Sequence, residues 1–150
     1  MLPKAWLVPS VAAVNDLAQR LAILQHPGFN PLSTALVESP SPLAMADPKG
    51  AELLPQKVAI TVYEGERIVV EAATPQNALL VLGEKYYKGW KASVDGKSAD
   101  IMQVNHVLRG VYLTPGTHKI EFIFDPLPFK IGKYLTLASF ALFAGMLVRE

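Results

Sequence analysis

No cysteine occurs anywhere in the 150 residues, which excludes disulfides, thiolate metal sites and cysteine nucleophiles and leaves the redox compartment open. Charge is scarce as well: Asp, Glu, Lys and Arg make up 18% of the chain, against roughly 25% in a soluble domain. The 14 basic and 13 acidic side chains leave a net charge of +1, so no broad field attracts a polyanion. Nucleic acid is therefore not an expected partner. A secretory signal is missing too, because Met1 to Pro9 carries Lys4 and two prolines where a signal peptide needs an unbroken apolar stretch. Neither an internal repeat nor a low-complexity segment is present.

Apolar side chains are what the chain has in excess, at 51% of residues. The length suits one domain with one core, and the surplus must sit somewhere specific. From Tyr134 to Val148 there is no charge and no proline, and Leu135, Leu137, Phe140, Leu142, Phe143, Met146, Leu147 and Val148 dominate. As a helix this run covers about 22 Å, short of the roughly 30 Å of bilayer hydrocarbon. Starting at Phe129, with Lys130 and Lys133 snorkelling to the headgroups, lengthens it to about 20 residues, enough to span. Its apolar side chains fall all round the helix, without the polar face of a helix packed on a soluble domain. The pattern predicts a transmembrane helix over 129–150, with a buried C-terminal core helix as the alternative.

Upstream the chain punctuates itself. Asn15-Asp16 followed by Leu17, Leu21 and Leu24 predicts a short capped amphipathic helix that Pro27-Gly28 stops. Thr34 to Glu38 has strand character, and Ser39 to Pro55, with prolines at 40, 42, 48 and 55, reads as an irregular linker. This divides the chain into an N-terminal α/β segment with its Pro-rich linker (1–55), a β domain (56–128) and the membrane helix (129–150). Within the middle part the period becomes two: Val58, Ile60 and Val62 alternate with Lys57, Ala59, Thr61 and Tyr63, and Ile68, Val70 and Ala72 with Arg67, Val69 and Glu71, with Gly65 between the two runs. Leu79-Leu80-Val81-Leu82 is a continuous apolar run of strand length, consistent with a centrally buried strand. Asp95-Gly96 fits a tight hairpin, Asn105-His106 marks another reversal, and Pro115-Gly116 suits the centre of a type II turn before Ile120, Phe122 and Phe124. About seven strands after Gln56 at regular spacing predict a mainly β fold, an antiparallel β-sandwich flanked by a short N-terminal helix and a C-terminal hydrophobic helix.

The stretch Glu84-Lys85-Tyr86-Tyr87-Lys88-Gly89-Trp90-Lys91-Ala92, then Val94-Asp95-Gly96-Lys97, Val104-Asn105, Leu108-Arg109-Gly110-Val111 and Pro115-Gly116-Thr117-His118, resembles in order and spacing the C-terminal region of YfhO-type bacterial membrane proteins. Leu2 to Val8 and Pro126 to Gly132 are similar to that family as well, so the likeness covers nearly the whole chain. The resemblance implies a polytopic membrane protein akin to lipid-linked-sugar glycosyltransferases. Such a protein has an N-terminal multi-helix body and a β-rich domain outside the cytoplasm near its end. It also implies that this chain is that end, opening inside a longer reading frame. The acidic residues of a transferase would lie in the multi-helix body, so no transferase activity is assigned to these residues.

Candidates for chemistry each have a plainer reading. His26, His106 and His118 lack ligand spacing, and no metal and no cofactor is expected. Glu64, Glu66, Glu71 and Glu84 supply carboxylates for glycoside chemistry, yet Glu71 alternates outward and the first two flank a hairpin turn. Ser93, Asp95 and His118 make a forced triad without a nucleophile elbow. No catalytic residue is assigned. Tyr86, Tyr87 and Trp90 beside Lys88, Lys91 and Arg109 are the most informative cluster, since flat aromatic faces stack on sugar rings and cations pair with phosphate. The favoured plainer reading is that one or two of these rings plug the end of a sandwich. Tyr86, Tyr87, Trp90, Lys91 and Arg109 are thus the candidate ligand-binding residues. The resemblance, with no catalytic constellation beside it, implies a non-catalytic extracytoplasmic accessory domain at the bacterial cell membrane that supports lipid-linked sugar transfer to a cell-envelope polymer. The alternative is a membrane-anchored carbohydrate-binding module. Its expected partners are membrane lipid, the multi-helix body of a membrane glycosyltransferase, and glycan.

Overall fold

Period-two alternation lets a strand bury one face, while a continuous apolar run demands cover on both. Both patterns are realised in a computed structural model that describes residues 2–126, 131 and 134–140. The elements in chain order are β1 (Ala5–Val8), β2 (Ser10–Ala13), α1 (Leu17–Gln25), β3 (Thr34–Val37), β4 (Lys57–Tyr63) and β5 (Arg67–Thr74). After them come β6 (Ala78–Lys85), β7 (Trp90–Val94), β8 (Lys97–Ala99), β9 (Met102–Val104), β10 (Leu108–Leu113) and β11 (Gly116–Phe124). The fold is mainly β, with two sheets and a short helix near the N-terminus. Eight strands, not seven, follow Gln56 among the described residues.

The first sheet runs β1-β6-β10-β9-β3-β2 and the second β4-β5-β11-β7-β8. Residues on both sides of the expected boundary at 55/56 share the first sheet, because β1 pairs antiparallel with β6 and β3 with β9. One segment supplies both edges of this sheet. β1 ends at Val8 on β6 and β2 begins at Ser10 on β3, with Pro9 alone between them. Two residues of chain span at most about 7 Å, so the sheet must curl until its edges meet. Proline suits that switch of partners, since it has no N–H to leave unpaired, and its carbonyl accepts the Ala46 N–H at 3.1 Å.

Two cores follow. Between the sheets lie Leu7, Val70, Leu80, Leu82, Val111, Leu113, Ile120 and Phe122, with Val58 and Ile60 packed at the margin. On the concave side of the first sheet lie Trp6, Val8, Ala35, Val37, Leu79, Val81 and Val104, covered by Leu32 of the loop before β3 and Met45 of the proline-rich stretch. The continuous run Leu79 to Leu82 is thereby explained: odd and even residues enter different cores, and all four are 0% exposed. The proline-rich segment is a lid on the second core rather than a bare linker. From this segment Ala44 O accepts from Asn77 Nδ2 at 2.9 Å, and from the loop before β3 Pro31 O accepts from Trp6 Nε1 at 2.9 Å. Gly110 reflects the same tight packing, since a Cβ there would stand 2.8 Å from Leu80 O.

The turn chemistry is as the sequence predicts. Asp95 and Gly96 both have positive φ (52° and 80°) between the paired Val94 and Lys97. Asn105 and His106 also adopt positive φ (47° and 74°), and Asn105 extends the sheet by bonding Leu36 through both its backbone N–H and its side-chain oxygen.

α1 is present and capped by Asp16, whose Oδ1 accepts from Gln19 N at 2.7 Å. Its leucine stripe does not reach either core: Leu17, Leu21 and Leu24 belong to neither buried cluster. Arg20 is the residue α1 buries, bonded to Glu38 at 2.9 Å, while Leu17 and Leu21 stay exposed. At the other terminus, residues 131 and 134–140 are helical, and the remainder of the expected 129–150 helix lies outside the described residues. Among the described residues no helix is long and apolar enough to cross a membrane.

Candidate functional site

Strand registers bring one set of residues to the same end of the sandwich. On the second sheet Tyr63 faces Ile68, Ile123 faces Arg67 and Phe124 faces Trp90. On the first sheet Leu108 faces Lys85, and the connection through residues 86–89 carries the chain from one sheet to the other across this end. Gly89 makes that crossing possible. Its φ is +107°, its carbonyl accepts the Asp125 N–H at 2.7 Å, and a Cβ would press against Phe124 at 3.1 Å and Pro126 at 3.2 Å.

Trp90 is the hub of the cluster. Its ring lies 5.3 Å from that of Phe124, which in turn lies 6.2 Å from Tyr87. The Arg109 guanidinium stacks 3.9 Å above the Trp90 ring, with Phe122 at 5.6 Å. Arg109 occupies an inward position of β10, alongside Val111 and Leu113, and is 2% exposed. Its Nε and Nη1 make no hydrogen bond, so the aromatic face is its nearest electrostatic partner. Burial pulls the Arg109 pKa below its ordinary value, and the charge of Glu84 acts in the opposite direction. Glu84 itself accepts a short hydrogen bond from the Tyr63 hydroxyl, and Lys4 Nζ caps the Tyr63 ring at 3.9 Å.

The five candidate residues therefore divide. Tyr86, Tyr87, Trp90 and Lys91 line a common cleft of about 460 Å³, together with Ser98 and Asp100. Tyr87 is its most open ring, 62% exposed. Lys91 is bound to Asp125 at 2.7 Å and stays at the surface. Arg109 does not line the cleft but lies behind Trp90, reaching it from the other sheet. What the sequence placed on one basic aromatic surface is thus a surface cleft with a buried cation beneath it.

Two further features bear on chemistry. Asp95 and His118 do meet, with His118 Nδ1 2.7 Å from Asp95 Oδ2, but His118 Nε2 is taken up by the Thr114 carbonyl at 2.9 Å. No ring nitrogen remains to activate a hydroxyl, so the pair ties two turns together. Asp95 also accepts the Lys119 N–H at 2.8 Å; that bond first, and His118 second, hold its carboxyl below the usual range. A mostly apolar cleft of about 540 Å³, bounded by Ala22, Ile23, Phe29, Leu36 and Pro48, has no counterpart in the sequence motifs. Its walls come from a helix, a loop and a strand edge, and no local motif joins them. Among the described residues no group of His, Asp or Glu side chains converges to hold a metal ion.

A two-sheet, mainly β domain with one aromatic, cation-bearing end is the class of protein these observations define. The chain belongs to the YfhO family: the model described as "Bacterial membrane protein YfhO" matches residues 49–136, more than half of its length. No curated protein and no solved structure matches it.

Proposed function

We propose that the chain is a non-catalytic accessory β domain on the extracytoplasmic side of a bacterial cell membrane. In this reading its C-terminal apolar segment holds it there, and it supports sugar transfer from a lipid carrier to a cell-envelope polymer by a multi-helix membrane body. The observation that carries the membrane part is the helical stretch 134–140. Leu135, Leu137 and Phe140 are 64%, 55% and 70% exposed, so they pack on neither core, as a soluble domain's last helix would. Membership of a family described as a membrane protein agrees with this. The accessory role rests on the site: the His118 ring is closed on Thr114, and Arg109 is sealed under Trp90. Deleting the gene and measuring sugar on the cell-envelope polymers tests that role. The sugar content should fall and return on complementation; an unchanged content contradicts it.

A second reading, a membrane-anchored carbohydrate-binding module, is favoured by the cleft at Tyr86, Tyr87 and Trp90. Exposed Tyr87 and half-buried Trp90 offer ring faces, with Ser98, Asp100 and Lys91 beside them for hydroxyl contacts. Titration with envelope-derived glycans, followed by NMR shifts of the Tyr87 and Trp90 rings, distinguishes it.

A further inference from the structure

The exposed apolar side chains are not spread evenly. Leu2, Tyr63, Tyr87, Val107 and Ile123 are 46%, 50%, 62%, 47% and 43% exposed, and the registers put all five at the end that carries Trp90. Leu2 precedes Lys4, which bonds Gly83 beyond the β1–β6 ladder, and Val107 O accepts the Tyr86 N–H. The opposite end is built from Pro75–Asn77, Asp95–Gly96 and Thr114–Thr117, turns that expose no large apolar residue; Leu53, 56% exposed shortly before β4, is the exception there, and Leu17 and Leu21 are exposed on α1. Lys85 and Lys88 stand exposed beside Tyr87. From this same end the chain leaves β11 at Phe124 toward the exposed helical residues 134–140.

The geometry points to this end as a membrane-facing surface, with Tyr87 and Val107 seated in the headgroup region of a lipid bilayer; the inference rests on the membrane anchoring proposed above. Three observations choose lipid as the occupant. The apolar C-terminal segment departs from this end, so whatever receives it lies next to Tyr87 and Val107. Tyrosine rings mixed with flexible lysines are the side chains that partition to a bilayer interface, rings at headgroup depth and ammonium groups on phosphate. The apolar residues are separated by charges, among them Glu64 and Glu66 of the β4–β5 turn, unlike the continuous, charge-depleted core of a permanent protein interface.

The absence of cysteine makes the test direct. A single cysteine at Val107 (Val107→Cys) or, on the opposite end, at Thr117 (Thr117→Cys) carries an environment-sensitive fluorophore. The full chain is reconstituted into phosphatidylcholine vesicles with some phosphatidylglycerol and a headgroup-attached nitroxide lipid. Tyr87→Cys serves as a second probe of the same end. Quenching should be several-fold stronger at 107 and 87 than at 117. If the chain floats with the vesicles but 107 and 87 are quenched no more than 117, the surface is overturned and the anchoring stands. If the chain does not float at all, the anchoring reading fails and takes this surface with it.

Discussion

The two sheets of this molecule solve burial in different ways. The first sheet is covered on both faces, by the second sheet on one side and by the proline-rich segment on the other, so Leu79 to Leu82 are apolar without interruption. The second sheet is covered by the first on one face only, and Val58, Ile60, Ile120 and Phe122 alternate with less buried residues, Val69 of β5 being the exception buried in the opposite phase. A strand's pattern thus reports how many neighbours its sheet has. The segment before Gln56 looks like a separate unit only while its strands' partners are unknown.

The contrast predicts unequal costs for comparable truncations. Trp6 is 2% exposed on the doubly covered sheet and its Nε1 is bonded to Pro31, so Trp6→Ala should cost about 3–5 kcal/mol in urea unfolding. Ile123→Ala, on the open face of the second sheet, should stay within about 0.5 kcal/mol. Equal costs for the two would break the contrast.

At the shared end of both sheets the effects should be smaller. Trp90 is half-buried and is the lid over the Arg109 cation, so Trp90→Ala should lower stability by about 3 kcal/mol. Tyr87→Ala should leave the melting temperature unchanged and weaken any glycan binding. A Trp90→Ala variant that melts like its parent but loses glycan affinity would favour the binding module over the accessory domain.

Arg109 sharpens the comparison further, because it projects from the doubly covered sheet into the space between the two. Its Nε and Nη1 are buried without partners. Replacing such a cation with an apolar side chain of similar length is typically neutral or stabilising. Arg109→Met is therefore expected to match or exceed the parent in urea, by about 1 kcal/mol at most. A large loss would mean that the guanidinium has a partner essential to the fold.

The smallest expected effect is the pH response of the Asp95 latch on the second sheet. Its carboxyl pKa is lowered in the folded state, chiefly by the Lys119 N–H and then by His118. The carboxylate's contribution is therefore complete above the unfolded value, near pH 4, and is lost as pH falls through the lowered folded pKa. The Lys119 amide proton should move in NMR spectra over that acid range, and Asp95→Asn should remove the movement. The same titration in the variant would assign it to another group.

Much of the β architecture was legible because turn chemistry is local. Asp95-Gly96, Asn105-His106 and Pro115-Gly116 each mark a reversal that the backbone makes. What stayed hidden depends on long-range partners. Nothing near Pro9 announces that β1 and β2 lie at opposite edges of one sheet, and nothing near Leu17 announces that it and Leu21 face outward while Arg20 is buried. Arg109 is the instructive residue at the site. Its nearness to Trp90 was readable from the cluster, but its burial was not, since inward phase on β10 is fixed by the pairing with β6.

The central claim is that both cores are complete without the C-terminal apolar segment, which serves the membrane. Removing residues 134–150 and comparing the shortened chain with the full one by membrane pelleting and thermal melting tests it most directly. The full chain should pellet with membranes, and the shortened one should remain in the soluble fraction with a single cooperative melt. A shortened chain that aggregates or loses its melt, beside a full chain soluble without detergent, would make the last segment part of the core and contradict the account.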